Sequence, residues 1–261
     1  MVSLQAGLRW WPLTGLLAAS LVGLVAMPVG GAAGRQPGGV IQGHIRLTGA
    51  VPADPTIRMG ADPACNAAYT SERPTHDFVV KQADGGLANV FVKVQGSFPE
   101  TPVPKAPVVL EQHGCVFRPR LVGMRVGQVL EVRNGDRTMH NLHSLSMKGN
   151  SFNVSQVVGR PPFAMTMVHE EAMLRIKCDV HTWMNVYVAV VDHPYFAVTA
   201  NDGSFTIPGV PAGRQMVQIW HELYGPLAAS VEVTAGGIAT ADFSYTGNEK
   251  AAPLADPDRQ P

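Results

Sequence analysis

Cys178-Asp-Val-His181-Thr-Trp-Met184 places a thiolate, an imidazole and a thioether within seven residues of one another. Thiolate and thioether are soft donors, and joined with imidazole in one short loop they select copper over the harder divalent ions. Zinc is the competing ion, but it seldom takes a thioether and its structural sites prefer more thiolates. A second imidazole would complete a trigonal plane of two histidines and Cys178, with Met184 as a long axial donor. Residues 133–143, Arg-Asn-Gly-Asp-Arg-Thr-Met-His-Asn-Leu-His, offer two candidates, His140 and His143. His140 lies 38 residues before Cys178, room for a hairpin and a connection. Spacing alone leaves both histidines open.

These donors need rigid supports, and the chain around them predicts strands. Over Met173 to Cys178, residues 174, 176 and 178 share one face, so Leu174 and Ile176 point inward and Cys178 emerges into the same apolar interior. The histidine-bearing stretch follows a strand at Gln128 to Val132. Further strands are expected at Val40 to Leu47, Ala88 to Val94, Pro107 to Leu110, Met165 to Val168 and Val186 to Val191. A last group is Gly203 to Ile207, Met216 to Trp220, Ala228 to Val233 and Ala239 to Phe243. Turn residues such as Gly85-Gly86, Asn134-Gly135-Asp136 and Asn201-Asp202-Gly203 separate them. Helical periodicity is weak, with a turn or two expected around Pro63 to Tyr69. Short punctuated strands predict an all-β chain of antiparallel sandwiches or barrels.

Val126-Gly127-Gln128, the strand end Val132-Arg133-Asn134, Met139-His140-Asn141-Leu142-His143 and the Cys-x-x-His-x-x-Met loop together resemble the cupredoxin family, in its small amicyanin, pseudoazurin and plastocyanin forms. The resemblance covers about 108–192 and implies a Greek-key β-sandwich holding one type-1 copper. It makes His140, Cys178, His181 and Met184 the ligands, since the family places the first histidine directly before asparagine. Asn141 is then expected to brace the two ligand loops. The resemblance further implies electron transfer through Cu(II)/Cu(I), an exposed edge of His181 as the electron port, and a partner-facing patch near Trp183 and Met139. The charged approach Leu174-Arg-Ile-Lys177 departs from the aromatic-rich approach common in the family.

A second resemblance is carried by 199–213, Thr-Ala-Asn-Asp-Gly-Ser-Phe-Thr-Ile-Pro-Gly-Val-Pro-Ala-Gly, and by Gly39-Val-Ile-Gln-Gly43-His-Ile45. Both are similar to the carboxypeptidase regulatory-like (transthyretin-like) module. The expected organisation is that module built from 38–97 and 195–246, with a cupredoxin domain at 106–194 inserted; sequential domains are the rival arrangement. Trp220-His221-Glu222 is expected to be structural, with a second metal as the alternative.

Composition narrows the function classes. Lys and Arg number 20 against 20 Asp and Glu, and no basic block appears, which leaves no electrostatic footprint for nucleic acid. Residues 1–34 hold one charge, Arg9, then an apolar stretch and small residues, the pattern of an export signal. Cleavage there would leave no membrane span and a periplasmic or secreted protein. The polar tail 247–261 is expected to be disordered. With Cys178 on a metal, Cys65 and Cys115 are left to pair as a disulfide; two buried free thiols are the alternative. No Ser-His-Asp set, carboxylate pair or phosphate loop stands out, so a non-enzyme is expected. Unidentified redox proteins are its expected partners. Exported copper delivery and a non-redox scaffold are the alternative readings.

Overall fold

The computed structural model describes residues 37–60 and 62–252; the expected export signal and residues 253–261 lie outside them. In chain order the strands begin with β1 (Gly39–Leu47), β2 (Phe91–Gln95), β3 (Val108–Gln112), β4 (Phe117–Arg118), β5 (Leu121–Arg125) and β6 (Val129–Asn134). There follow β7 (His140–Ser144), β8 (Asn153–Gln156), β9 (Phe163–Thr166), β10 (Glu171–Lys177), β11 (Asn185–Val191) and β12 (Phe196–Val198). The last are β13 (Ser204–Val210), β14 (Gly213–His221), β15 (Gly225–Val233), β16 (Ile238–Thr240) and β17 (Phe243–Tyr245). Among the described residues the one helix is α1 (Pro63–Ala67), so the protein is nearly all-β, with several sheets.

Alternation explains the strands. Along β1, Gly39, Ile41, Gly43, Ile45 and Leu47 are buried while the residues between them are exposed or half-buried, as a sheet with one wet face requires. β1 pairs antiparallel with β13 and parallel with β16 and β17, strands from the far end of the chain. Gly43 is needed for that approach, because a Cβ there would lie 2.1 Å from the Ala241 carbonyl oxygen. A second sheet runs β12-β2-β14-β15. Ile41, Ile45, Val92, Val94, Ile207, Val217, Ile219 and Tyr245 of these two sheets form one shared core.

The strands between β2 and β12 build two more sheets, β5-β11-β10-β7-β8 and β4-β3-β6-β9. Their parallel pairs, β5 with β11 and β3 with β6, are flanked by antiparallel neighbours. Leu110, Leu130, Val132, Leu142, Leu174, Ile176, Val186 and Val188 fill a second core. Phe91, Leu121, Met173, Ala189 and Val191 form a small third cluster with contributions from both groups of sheets.

Two parts of the chain depart from expectation. Ile57, Met59 and Cys65, from the β1–β2 connection, pack into the second core rather than beside the strands they join. Residues 247–252 are not loose, since the Ala251 N–H donates to the Leu223 carbonyl and the Gly247 N–H to Glu249.

Candidate metal centre

Cys178 follows directly on β10, so it continues the strand's inward face after Leu174 and Ile176, and all three are buried. β7 lies antiparallel to β10, with His143 opposite Lys177, which carries the start of β7 to the end of β10. His140 therefore arrives beside Cys178. Contrary to the expectation that spacing leaves both histidines open, the two are three apart on one strand, and that odd spacing turns them to opposite faces. His140 is fully buried, whereas His143 points outward and holds Asp179 at 2.9 Å.

The loop after Cys178 closes on itself. The Met184 N–H donates to the His181 carbonyl at 2.8 Å, and the Cys178 N–H donates to the Met184 carbonyl at 3.1 Å. That folding returns His181 to the interior and buries Met184 in the same core as Cys178. The backbone N–H groups of Asn141 and His181 each donate to Cys178 Sγ at 3.3 Å. Asn141 also accepts the Asp179 N–H through Oδ1 and donates through Nδ2 to Asn153 Oδ1, tying the ligand loop to β7 and β8.

His140 Nδ1 and His181 Nδ1 face each other at 3.0 Å, and Cys178 Sγ lies 3.8 Å from His181 Nδ1. One donor atom from each of the three falls within 4.8 Å of the others. The outer nitrogens are both on carboxylates: His140 Nε2 meets Asp136 at 2.9 Å, and His181 Nε2 meets Asp62 at 2.9 Å. A carboxylate accepts, so each Nε2 carries a proton and each Nδ1 is the nitrogen turned inward, towards the other ring and the sulfur. Without a metal, a proton on His140 Nδ1 bridges the two rings or meets the sulfur; with that proton displaced, two imidazole nitrogens and a sulfur form a donor set that a soft metal fits.

Charge is arranged to match. Burial pushes the Cys178 thiol up, but hydrogen bonds from His140 and from the N–H groups of Asn141, His181 and Val180 outweigh it and hold the thiol below its usual range. Asp136 is likewise lowered against its burial by His140, Cys115 and Gly114. Desolvation disfavours charge on His140, yet Asp136 and Cys178 raise it. At Asp62, desolvation is outweighed by the Cys65 N–H, His181, Thr138 and the Ala64 N–H, which bring the carboxyl to about 2.

An exposed His181 edge, expected as the electron port, is not found. His181 is 2% exposed, and its Nε2 is covered by Asp62 and by Cys65 Sγ at 3.5 Å. Cys65 and Cys115 are joined by a disulfide, which fastens this cover down. Trp183 is half-buried and donates its Nε1–H to the Cys115 carbonyl, while Met139 is exposed.

Asp62 and Asp136 were not singled out in the sequence. Asp62-Pro63 carries the signature of a helix N-cap, and Asp136 sits in a turn four residues before His140. Neither signal reveals contact with an imidazole. Among the described residues His221 belongs to no metal-ligating cluster: its Nδ1 accepts the Leu223 N–H, its ring stacks on Tyr224, and Glu222 pairs with Arg120.

No family model and no curated protein matches the sequence. Solved structures with partial similarity include a copper-containing nitrite reductase from Thermus scotoductus SA-01, with TM-score 0.32 and 17% identity. That match covers 38% of this chain and 25% of the reductase, so the chain spans a quarter of that relative's length. A purple cupredoxin from Nitrosopumilus maritimus gives a TM-score of 0.27 and 19% identity over 31% of this chain and 97% of that one. The Cu(I) form of an amicyanin variant gives 0.29 and 14%, over 38% and 97%.

Proposed function

We propose that the chain is a cupredoxin-like electron carrier whose His140, Cys178, His181 and Met184 would hold one type-1 copper. The observation that carries this is the convergence of Cys178 Sγ with two inward-facing imidazole nitrogens in a buried setting. Bound copper would supply a one-electron Cu(II)/Cu(I) couple. The chain's own residues fix the donors and keep water out. Asn141 and His181 N–H groups hold the thiolate, the 178–184 loop is closed by its own backbone bonds, and the disulfide-fastened cover shuts off His181. Donors fixed in this way move little when the charge changes, which favours rapid electron exchange.

The carrier works outside the cytoplasm, a reading supported by the disulfide and by the export pattern of residues 1–34. Its redox partner approaches the face bearing Met139 and Val180, exposed neighbours of two ligands. Protein metal-stripped and titrated with Cu(II) should take up one equivalent and show a reversible one-electron wave by voltammetry. Copper that passes to a chelator or an acceptor protein without such a wave would instead mark a delivery protein.

A further inference from the structure

The cover over the centre is built with a symmetry that its stapling role alone does not require. Each half-cystine sits next to an aspartate doing the same work. Asp62 accepts the Ala64 and Cys65 N–H groups through Oδ1, at 2.8 and 3.0 Å, and turns Oδ2 to His181 Nε2 and the Thr138 hydroxyl. Asp136 accepts the Gly114 N–H through Oδ1 at 2.6 Å, and the Cys115 N–H through Oδ2 at 2.9 Å. The same Oδ2 receives His140 Nε2. Cys115 adopts φ +55°, a left-handed conformation uncommon for a side-chain-bearing residue, and this helps aim two consecutive N–H groups at Asp136. The disulfide then joins the two carboxylate holders across 50 residues of chain.

We infer that Asp62 and Asp136 are paired positioning residues for the metal centre, which fix both imidazoles with a proton on Nε2 and with Nδ1 turned inward, and that the Cys65–Cys115 disulfide holds the pair in register. This inference rests on the proposed copper site. Each aspartate meets the outer Nε2, on the far side of the ring from the Nδ1 turned to Cys178, and so acts through the histidine it orients, as outer partners of ligating histidines do. Asp62 comes from a connection 119 residues away from His181 and covers its Nε2.

Asp62→Asn separates positioning from support. Asparagine caps a helix as well as aspartate does, so its Oδ1 keeps the Ala64 and Cys65 bonds. Its Nδ2 then presents hydrogens to His181 Nε2, where a carboxylate had accepted. The ring must answer with the other tautomer, placing the proton on Nδ1 and blocking that donor. Nitrogen-15 NMR of the metal-free protein should show His181 protonated on Nε2 in the parent and on Nδ1 in Asp62→Asn. Cu(II) affinity should fall at least tenfold in Asp62→Asn and in Asp136→Asn. Unchanged tautomer and unchanged affinity in Asp62→Asn would overturn the inference. A parent that takes up no Cu(II) but still shows the tautomer switch would sink the copper reading while leaving the orienting role of Asp62 in place.

Discussion

At the scale of single residues, the protein handles its histidines in opposite ways. His140 and His181 are buried with a carboxylate on Nε2 and with Nδ1 turned towards the other ring, an arrangement fit for a ligand. His221 is buried with nothing to welcome a proton. Burial and the nearby Arg120 charge depress it to about 3, and Tyr224 and Tyr245 enclose its ring. The unfolded chain binds a proton at His221 near its ordinary pKa of about 6.5, while the folded chain refuses it down to about 3. Stability from this group is therefore whole above about pH 6.5 and is lost as pH falls towards 3, at about 1.4 kcal/mol per pH unit. Urea melts at pH 7 and pH 4.5 should show a steeper acid loss in the parent than in His221→Asn, whose amide does not titrate. Equal slopes would mean that His221 charges in the fold.

At the scale of elements, most strands were legible and the exceptions are instructive. Long alternating runs such as β1, β10 and β11 announce themselves because one face is apolar throughout. β7 does not, since its inward positions include His140 and Ser144, polar residues that are buried only because Asp136 and the Asn150 carbonyl satisfy them. β5 is short and interrupted by Gly123, and its parallel pairing with β11 leaves no local signature. The ligand loop was readable for the opposite reason: Cys178, His181 and Met184 are close in sequence, and chemistry rather than periodicity marks them. The β1–β2 connection could not be placed from its sequence, because what positions α1 is a disulfide to residue 115 and a carboxylate reaching residue 181. The staple should matter to stability. Closing a loop of 50 residues stabilises a fold by about 4 kcal/mol through the unfolded chain. Denaturation of the metal-free Cys65→Ala/Cys115→Ala variant should show a loss of that order, and a loss below about 0.5 kcal/mol would mean that the cover is held by packing alone.

At the scale of the whole molecule, two groups of sheets meet across the small apolar cluster and one buried ion pair. Arg120 donates to both Glu222 oxygens and to the His76 carbonyl, and Tyr187, pushed up to about 12 by burial and the Glu222 charge, lies beside them. The side chains of Arg120 and Glu222 are 13% and 8% exposed, so removing one partner strands a charge in a poorly solvated place. Arg120→Leu should cost about 3–5 kcal/mol by chemical denaturation, and the double variant with Glu222→Leu should recover much of it. An additive double variant would show that the two charges do not depend on each other. Among the described residues the groups of His, Cys, Asp and Glu that could hold a metal all share His140 or His181, and the account stands on what the group with Cys178 binds. The visible spectrum of the Cu(II)-loaded protein addresses this most directly. Thiolate coordination by Cys178 predicts an intense charge-transfer band at about 600 nm, retained in His143→Ala and absent in Cys178→Ser. A colourless Cu(II) complex, or a band that survives Cys178→Ser, would contradict the account.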